Sequence, residues 1–194
     1  PAGNSGAPVR ILATMSFLAD IAQQVAGDEA RIDSLVPADV DPHGFEPAPS
    51  DIAKVEQCDV LIINGAHLEA FLDRMLQSAG GQRVLIEASH GLKQRTPTPG
   101  EAIDPEHEQD PHFWLDPNNV IVYVENIRDG LSKAHPSGAE AYRRNAEAYI
   151  AQLGELDSWI REQVSQVPDS RRLLVTNHES LGYFADRYGF RVVG

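Results

Sequence analysis

The chain has 194 residues, an apolar fraction of 42% and a formal net charge of −13. That much apolar material supports a folded core and argues against a disordered chain. The acidic balance argues against nucleic acid, which needs clustered Lys and Arg against its phosphates. One cysteine, Cys58, excludes an internal disulfide and any zinc finger built on Cys pairs. No run of 18 apolar residues is present that would span a membrane.

The opening PAGNSGAP reads as a flexible leader over residues 1–8, of the kind that remains after a signal is removed. Four β-rich runs follow, Arg10–Thr14, Arg31–Val36, Val60–Asn64 and Arg83–Glu87. Their nearly continuous Val, Ile and Leu suit strands covered on both faces. Helical patterns lie between most of them. Ser16 is placed to cap a helix ending at Gly27, and Ser50 one over Asp51–Gln57. Leu68, Phe71, Leu72, Met75 and Leu76 share one face of a third helix, which Gly80-Gly81 ends. Strands alternating with helices imply βαβ units and a parallel sheet. Ser89–Asp110, with Pro97, Pro99 and Pro105, reads as a mobile surface loop.

Helix then dominates. Asp116 is a suitable N-cap and Pro117 a suitable first helical residue. Val120, Val124, Ile127, Leu131 and Ala134 keep helical spacing up to a break at His135-Pro136. A longer helix is expected from about Gly138 to Val167, with Tyr142, Ala146, Tyr149, Leu153, Leu156, Ile160, Val164 and Val167 on one stripe. A helix of that length measures roughly 45 Å, enough for a strut along two lobes. After Pro168 a strand (Arg172–Asn177), a helix (Glu179–Tyr188) and a second strand (Phe190–Val193) follow. One βαβ unit cannot bury both faces of its own sheet, so the second lobe is expected to be incomplete. The expected organisation is an N-terminal lobe over 9–136, a linker helix over 137–168 and the start of a C-terminal lobe over 169–194.

The triplet Asp-Pro-His occurs twice, in DPHGFEP at Asp41–Pro47 and in DPHFWLDP at Asp110–Pro117. Proline fixes its own φ and holds the preceding residue extended, so each histidine leaves a stiffened backbone. The aspartates are placed to accept from neighbouring N–H groups or from a ring nitrogen, the support that metal-bound histidines need. His43 and His112 both follow strands, at the sheet edge where loops beyond strand C-termini gather ligands. His178 directly follows the strand Arg172–Asn177. The three are candidates to meet in a cleft between lobes, and imidazole suits Zn²⁺. A single histidine is more often a surface or core residue, and the spacing matches no local zinc motif. His67 reads as a polar turn residue, His90 and His135 as bland, and His107 as a weak collector of metal in the loop.

DPHGFEPAPSDIAKVEQCDVLIING and DPHFWLDP resemble the two metal-ligand motifs of the zinc/manganese solute-binding proteins of bacterial ABC importers, a family that includes proteins first described as adhesins. NHESLGYFADRYGF resembles its third motif. The resemblance spans Val9 to Val193. It implies an α/β fold of two lobes with parallel sheets joined by one long rigid helix, the second lobe incomplete here. It implies metal ligands His43, His112 and His178, and a fourth, carboxylate ligand from later in the second lobe. It implies no enzymatic activity but high-affinity capture outside the cytoplasmic membrane by a monomer, periplasmic or membrane-anchored, and delivery to a permease. A histidine at the third position leans the choice to zinc, with manganese the alternative. The rivals are a zinc hydrolase, with Glu179 as base, and an adhesin with a purely structural metal.

Overall fold

A computed structural model of the chain describes residues 8–96 and 109–193. The leader, apart from an exposed Pro8, lies outside the described residues, as do Pro97, Pro99, Pro105 and His107. Strands β1 (Ile11–Ala13), β2 (Ile32–Ser34), β3 (Val60–Ile63) and β4 (Val84–Glu87) form one parallel sheet in the order β2-β1-β3-β4. The crossovers carry α1 (Ser16–Ala26), α2 (Pro49–Gln57) and α3 (Leu72–Ser78). The central strands β1 and β3 are buried at every residue, as their unbroken apolar runs require. At the edge, β4 departs from that expectation: Val84 and Leu85 are exposed and only Ile86 is buried.

Two helix starts also differ from the sequence reading. The first residue of α1 is Ser16 itself, after an extended and buried Met15. In α2, Pro49 takes the first helical position and Ser50 follows inside the helix. The Asp51 carboxylate reaches back to accept from the Ala48 N–H (3.0 Å). Leu68 and Phe71 are buried but precede α3, in the turn leading to it.

Helix α4 (Pro117–Ala134) begins as expected, with Asp116 Oδ1 accepting from the Asn118 N–H at 2.9 Å. It buries Val120, Val124, Ile127 and Leu131. Gly130 lets it lie close on β4, because a Cβ there would collide with Ile86. Helix α5 (Ala139–Ser165) has 27 residues and so spans about 40 Å. Its apolar stripe is only partly used. Tyr142, Ala146 and Leu153 are buried against the first sheet's helices, whereas Leu156 on the same stripe is 43% exposed.

A second parallel pair, β5 (Leu173–Leu174) and β6 (Arg191–Val192), flanks α6 (Gly182–Tyr188). Strand and helix are both shorter than expected, because Val175–Leu181 is irregular and holds His178. Gly189 stops α6 in the left-handed region, φ 75°. Most described residues flanking the long loop are exposed, as expected, but its start is anchored. Ser89 is buried, and Asn126 Nδ2 donates to the carbonyls of Ala88 and His90, both at 2.9 Å.

Candidate metal centre

Both Asp-Pro-His triplets fold into the same turn. Asp41 Oδ1 accepts from the His43 backbone N–H and Asp110 Oδ1 from that of His112, each at 3.0 Å. An aspartate bonding the backbone two residues on closes the turn, and proline between them fixes its φ. At His112 the same oxygen also meets the ring, Nδ1 lying 2.8 Å from Asp110 Oδ1. That contact turns Nε2 away from the turn.

Nε2 of His112 points into a cluster. The rings of His43, His112 and His178 lie 5.7, 5.1 and 4.8 Å apart, centroid to centroid. One ligand nitrogen from each lies within 4.8 Å of the others. Zinc held tetrahedrally at about 2.0–2.1 Å needs nitrogens about 3.4 Å apart, so small ring movements close the triangle. The Nε2 atoms of His112 and His178 are buried without a hydrogen-bond partner among the described residues. A buried polar atom left unpaired is costly, and an electron-pair acceptor placed between these atoms removes that cost. Among the described residues no other group of three or more His, Cys, Asp or Glu side chains converges in this way. His67 and His90 are exposed and His135 is bonded to Tyr142, so none of them joins the cluster.

Beneath His112 sits a buried polar network. Asn64, just past β3, donates from Nδ2 to the Pro111 carbonyl (3.1 Å), and its Oδ1 accepts from the Tyr123 hydroxyl. The Asn64 backbone N–H donates to Glu69 Oε1 (2.6 Å), which also accepts from Thr14 Oγ1 (2.7 Å). Glu69 Oε2 accepts from the Gly65 N–H (3.2 Å). Burial pushes the Glu69 carboxyl above its ordinary range, against the pull of these donors. The carboxylate closes a turn in which Gly65, Ala66 and His67 all have positive φ, 88°, 51° and 62°. Two left-handed residues with side chains cost roughly 1–2 kcal/mol each, and such strain persists only where surroundings over-determine it.

From the other side, the Tyr183 hydroxyl on α6 reaches the Asp110 carbonyl at 3.1 Å. A Phe17–Trp114 stack, 4.1 Å between centroids, lies beside His112. Asn64, Glu69 and Tyr123 were not legible as site residues, since their link to His112 exists only in three dimensions. The stretch NGAHLE at the end of a strand was the available signal.

The chain matches the family described as zinc-uptake complex component A, periplasmic, over residues 11–194. It is 37% identical over 189 residues to the manganese-binding lipoprotein MntA of Halalkalibacterium halodurans, covering 97% of this chain and 61% of that protein. It is 34% identical over 184 residues to the iron-binding protein YfeA of Yersinia pestis, covering 95% and 58%. The fold matches the zinc-bound ZnuA-like domain of Streptococcus pneumoniae AdcA at a TM-score of 0.83 and 31% identity, covering 96% of this chain and 66% of that one. A manganese-bound periplasmic metal-binding protein from Candidatus Liberibacter asiaticus matches at a TM-score of 0.83 and 27% identity, covering 95% and 67%. The chain thus spans about three fifths of the length of these curated relatives. No helix among the described residues is long and apolar enough to cross a membrane. With nearly every residue from Ile11 onward matched, the chain belongs to the periplasmic zinc-uptake complex component A family.

Proposed function

We propose that this chain is the metal-capturing part of a solute-binding protein, with His43, His112 and His178 as ligands to one divalent cation. The observation that carries this is the convergence of three imidazoles from distant parts of the chain, two with buried and unpartnered Nε2 atoms. The donor set is all nitrogen, which favours Zn²⁺ over the harder Mn²⁺. Relatives are described as binding manganese, iron or zinc, so the preference rests on the chemistry of this donor set. Water or a carboxylate completes a tetrahedral ion. Residues 9–136 act as the lobe that supplies His43 and His112, 137–168 as the linker, and 169–194 as the part that brings His178. The cation is taken up outside the cytoplasmic membrane and passed to the permease of an ABC importer. The relatives named above are described as manganese-binding, iron-binding and zinc-bound, in keeping with a carrier.

Competition titration against a chelating dye tests this. One Zn²⁺ per chain is expected, bound more tightly than Mn²⁺, with His112→Ala weakening it by about a hundredfold or more. A 194-residue chain that binds neither ion overturns the proposal.

A further inference from the structure

Arg95 lies in the chain between the first sheet and Asp110, with its side chain only 6% exposed. Among the described residues its guanidinium faces the carboxylates of Asp186 and Asp110. Nε and Nη2 donate to Asp186 Oδ2 and Oδ1 at 2.9 and 3.2 Å, a fork on the carboxylate of α6. Nη1 stands 3.8 Å from Asp110 Oδ2. Asp110 offers its other oxygen to the His112 ring.

The seat of this guanidinium is Gly182. A Cβ at that position would collide with Nη1, Cζ and Nε of Arg95. Gly182 and Asp186 are four residues apart, on one face of α6. Arg95 therefore lies flat on the helix backbone and reaches a carboxylate one turn on. Helix α6 is the element that follows His178. One buried cation thus touches the helix beside one candidate ligand and the carboxylate that orients another.

We propose that Arg95, seated on Gly182, is a positioning residue for the metal site, holding Asp110 so that the His112 ring presents Nε2 to the cation. The inference rests on the function proposed above. It follows from the geometry of Asp110, which shares two oxygens between two partners. Without Arg95 the carboxylate swings on its Cα–Cβ and Cβ–Cγ bonds, and the imidazole swings with it. Without room at Gly182 the guanidinium is lifted from the helix, with the same result. Partners of metal-bound histidines typically contribute about 10–100-fold to metal affinity, and Arg95 acts one contact further out.

The test uses the whole 194-residue chain with Co²⁺ as a spectroscopic probe and Zn²⁺ for affinity. Arg95→Met and Gly182→Ala are compared with the native chain and with Arg10→Met, which breaks the exposed Arg10–Asp59 pair far from the site. Arg95→Met and Gly182→Ala are expected to bind Zn²⁺ about tenfold more weakly. Their saturated Co²⁺ absorption band should shift in position or intensity, while that of Arg10→Met matches the native chain. Arg95→Lys keeps the charge but not the fork, and should shift the band as well. If Gly182→Ala fails to fold, the two Arg95 variants decide. Saturated Co²⁺ bands identical to the native one in the Arg95 variants, at any stability, overturn the assignment. A native chain that binds no metal fails earlier and overturns the function itself.

Discussion

His112 and Asp110 are joined twice by one atom: Asp110 Oδ1 lies 2.8 Å from the ring Nδ1 and 3.0 Å from the backbone N of the same histidine. A single carboxylate oxygen thus sets both the backbone turn and the ring orientation. Asp110→Ala removes both and is expected to weaken Zn²⁺ binding by about 10–100-fold. Asp110→Asn keeps an oxygen acceptor for the turn and should fall between. Chelator competition measures both variants.

Tyr123 is buried, and its hydroxyl donates to Asn64 Oδ1. Tyr123→Phe keeps the ring packing but leaves a buried amide oxygen without that donor. The expected loss is about 1–3 kcal/mol of stability, read from denaturant unfolding of the metal-free chain. Because Asn64 holds the Pro111 carbonyl, metal affinity should fall in the same variant.

Asp157 ties α5 to α6 and α4. It accepts from Arg187, Arg161, Tyr188 and Asn118. Burial raises its pKa, but these donors outweigh burial and bring it down from 3.8 to about 2. A carboxyl depressed on folding stabilises above its unfolded pKa and loses that contribution as pH falls toward the folded value. The native chain should therefore exceed Asp157→Asn in melting temperature at pH 5. The gap should shrink between about pH 4 and 2. A gap constant across that range would remove Asp157 from this role.

Leu153 and Leu156 sit on one sequence stripe of α5 but in different surroundings, 6% and 43% exposed. Leu153→Ala should cost about 2–5 kcal/mol through lost burial and a cavity. Leu156→Ala should stay within about 0.5 kcal/mol. Thermal or urea unfolding of the two variants separates them.

The same pair shows where sequence reading stops. Periodicity places Leu153 and Leu156 on one face of one helix, and both statements hold. It cannot say what packs against that face at each height. Local signals fared better: Asp116 and Pro117 start α4 as their chemistry dictates, because a cap needs only its own next residues. Ser50 misled because Pro49 had a stronger claim to the first turn. The three histidines were brought together by motif and by strand-end position, and the structure places their rings in one cluster. Asn64 and Glu69 offered only the strand-end stretch NGAHLE, and Arg95 gave no sign at all. Arg95 and Asp186 lie 91 residues apart, and only the folded chain makes them neighbours.

The twin aspartate-closed turns bear on the entropy of capture. Each imidazole on the first sheet's side rises from a backbone already locked by its own carboxylate before any cation arrives. Little backbone disorder remains in these two turns to be frozen out when a cation is captured.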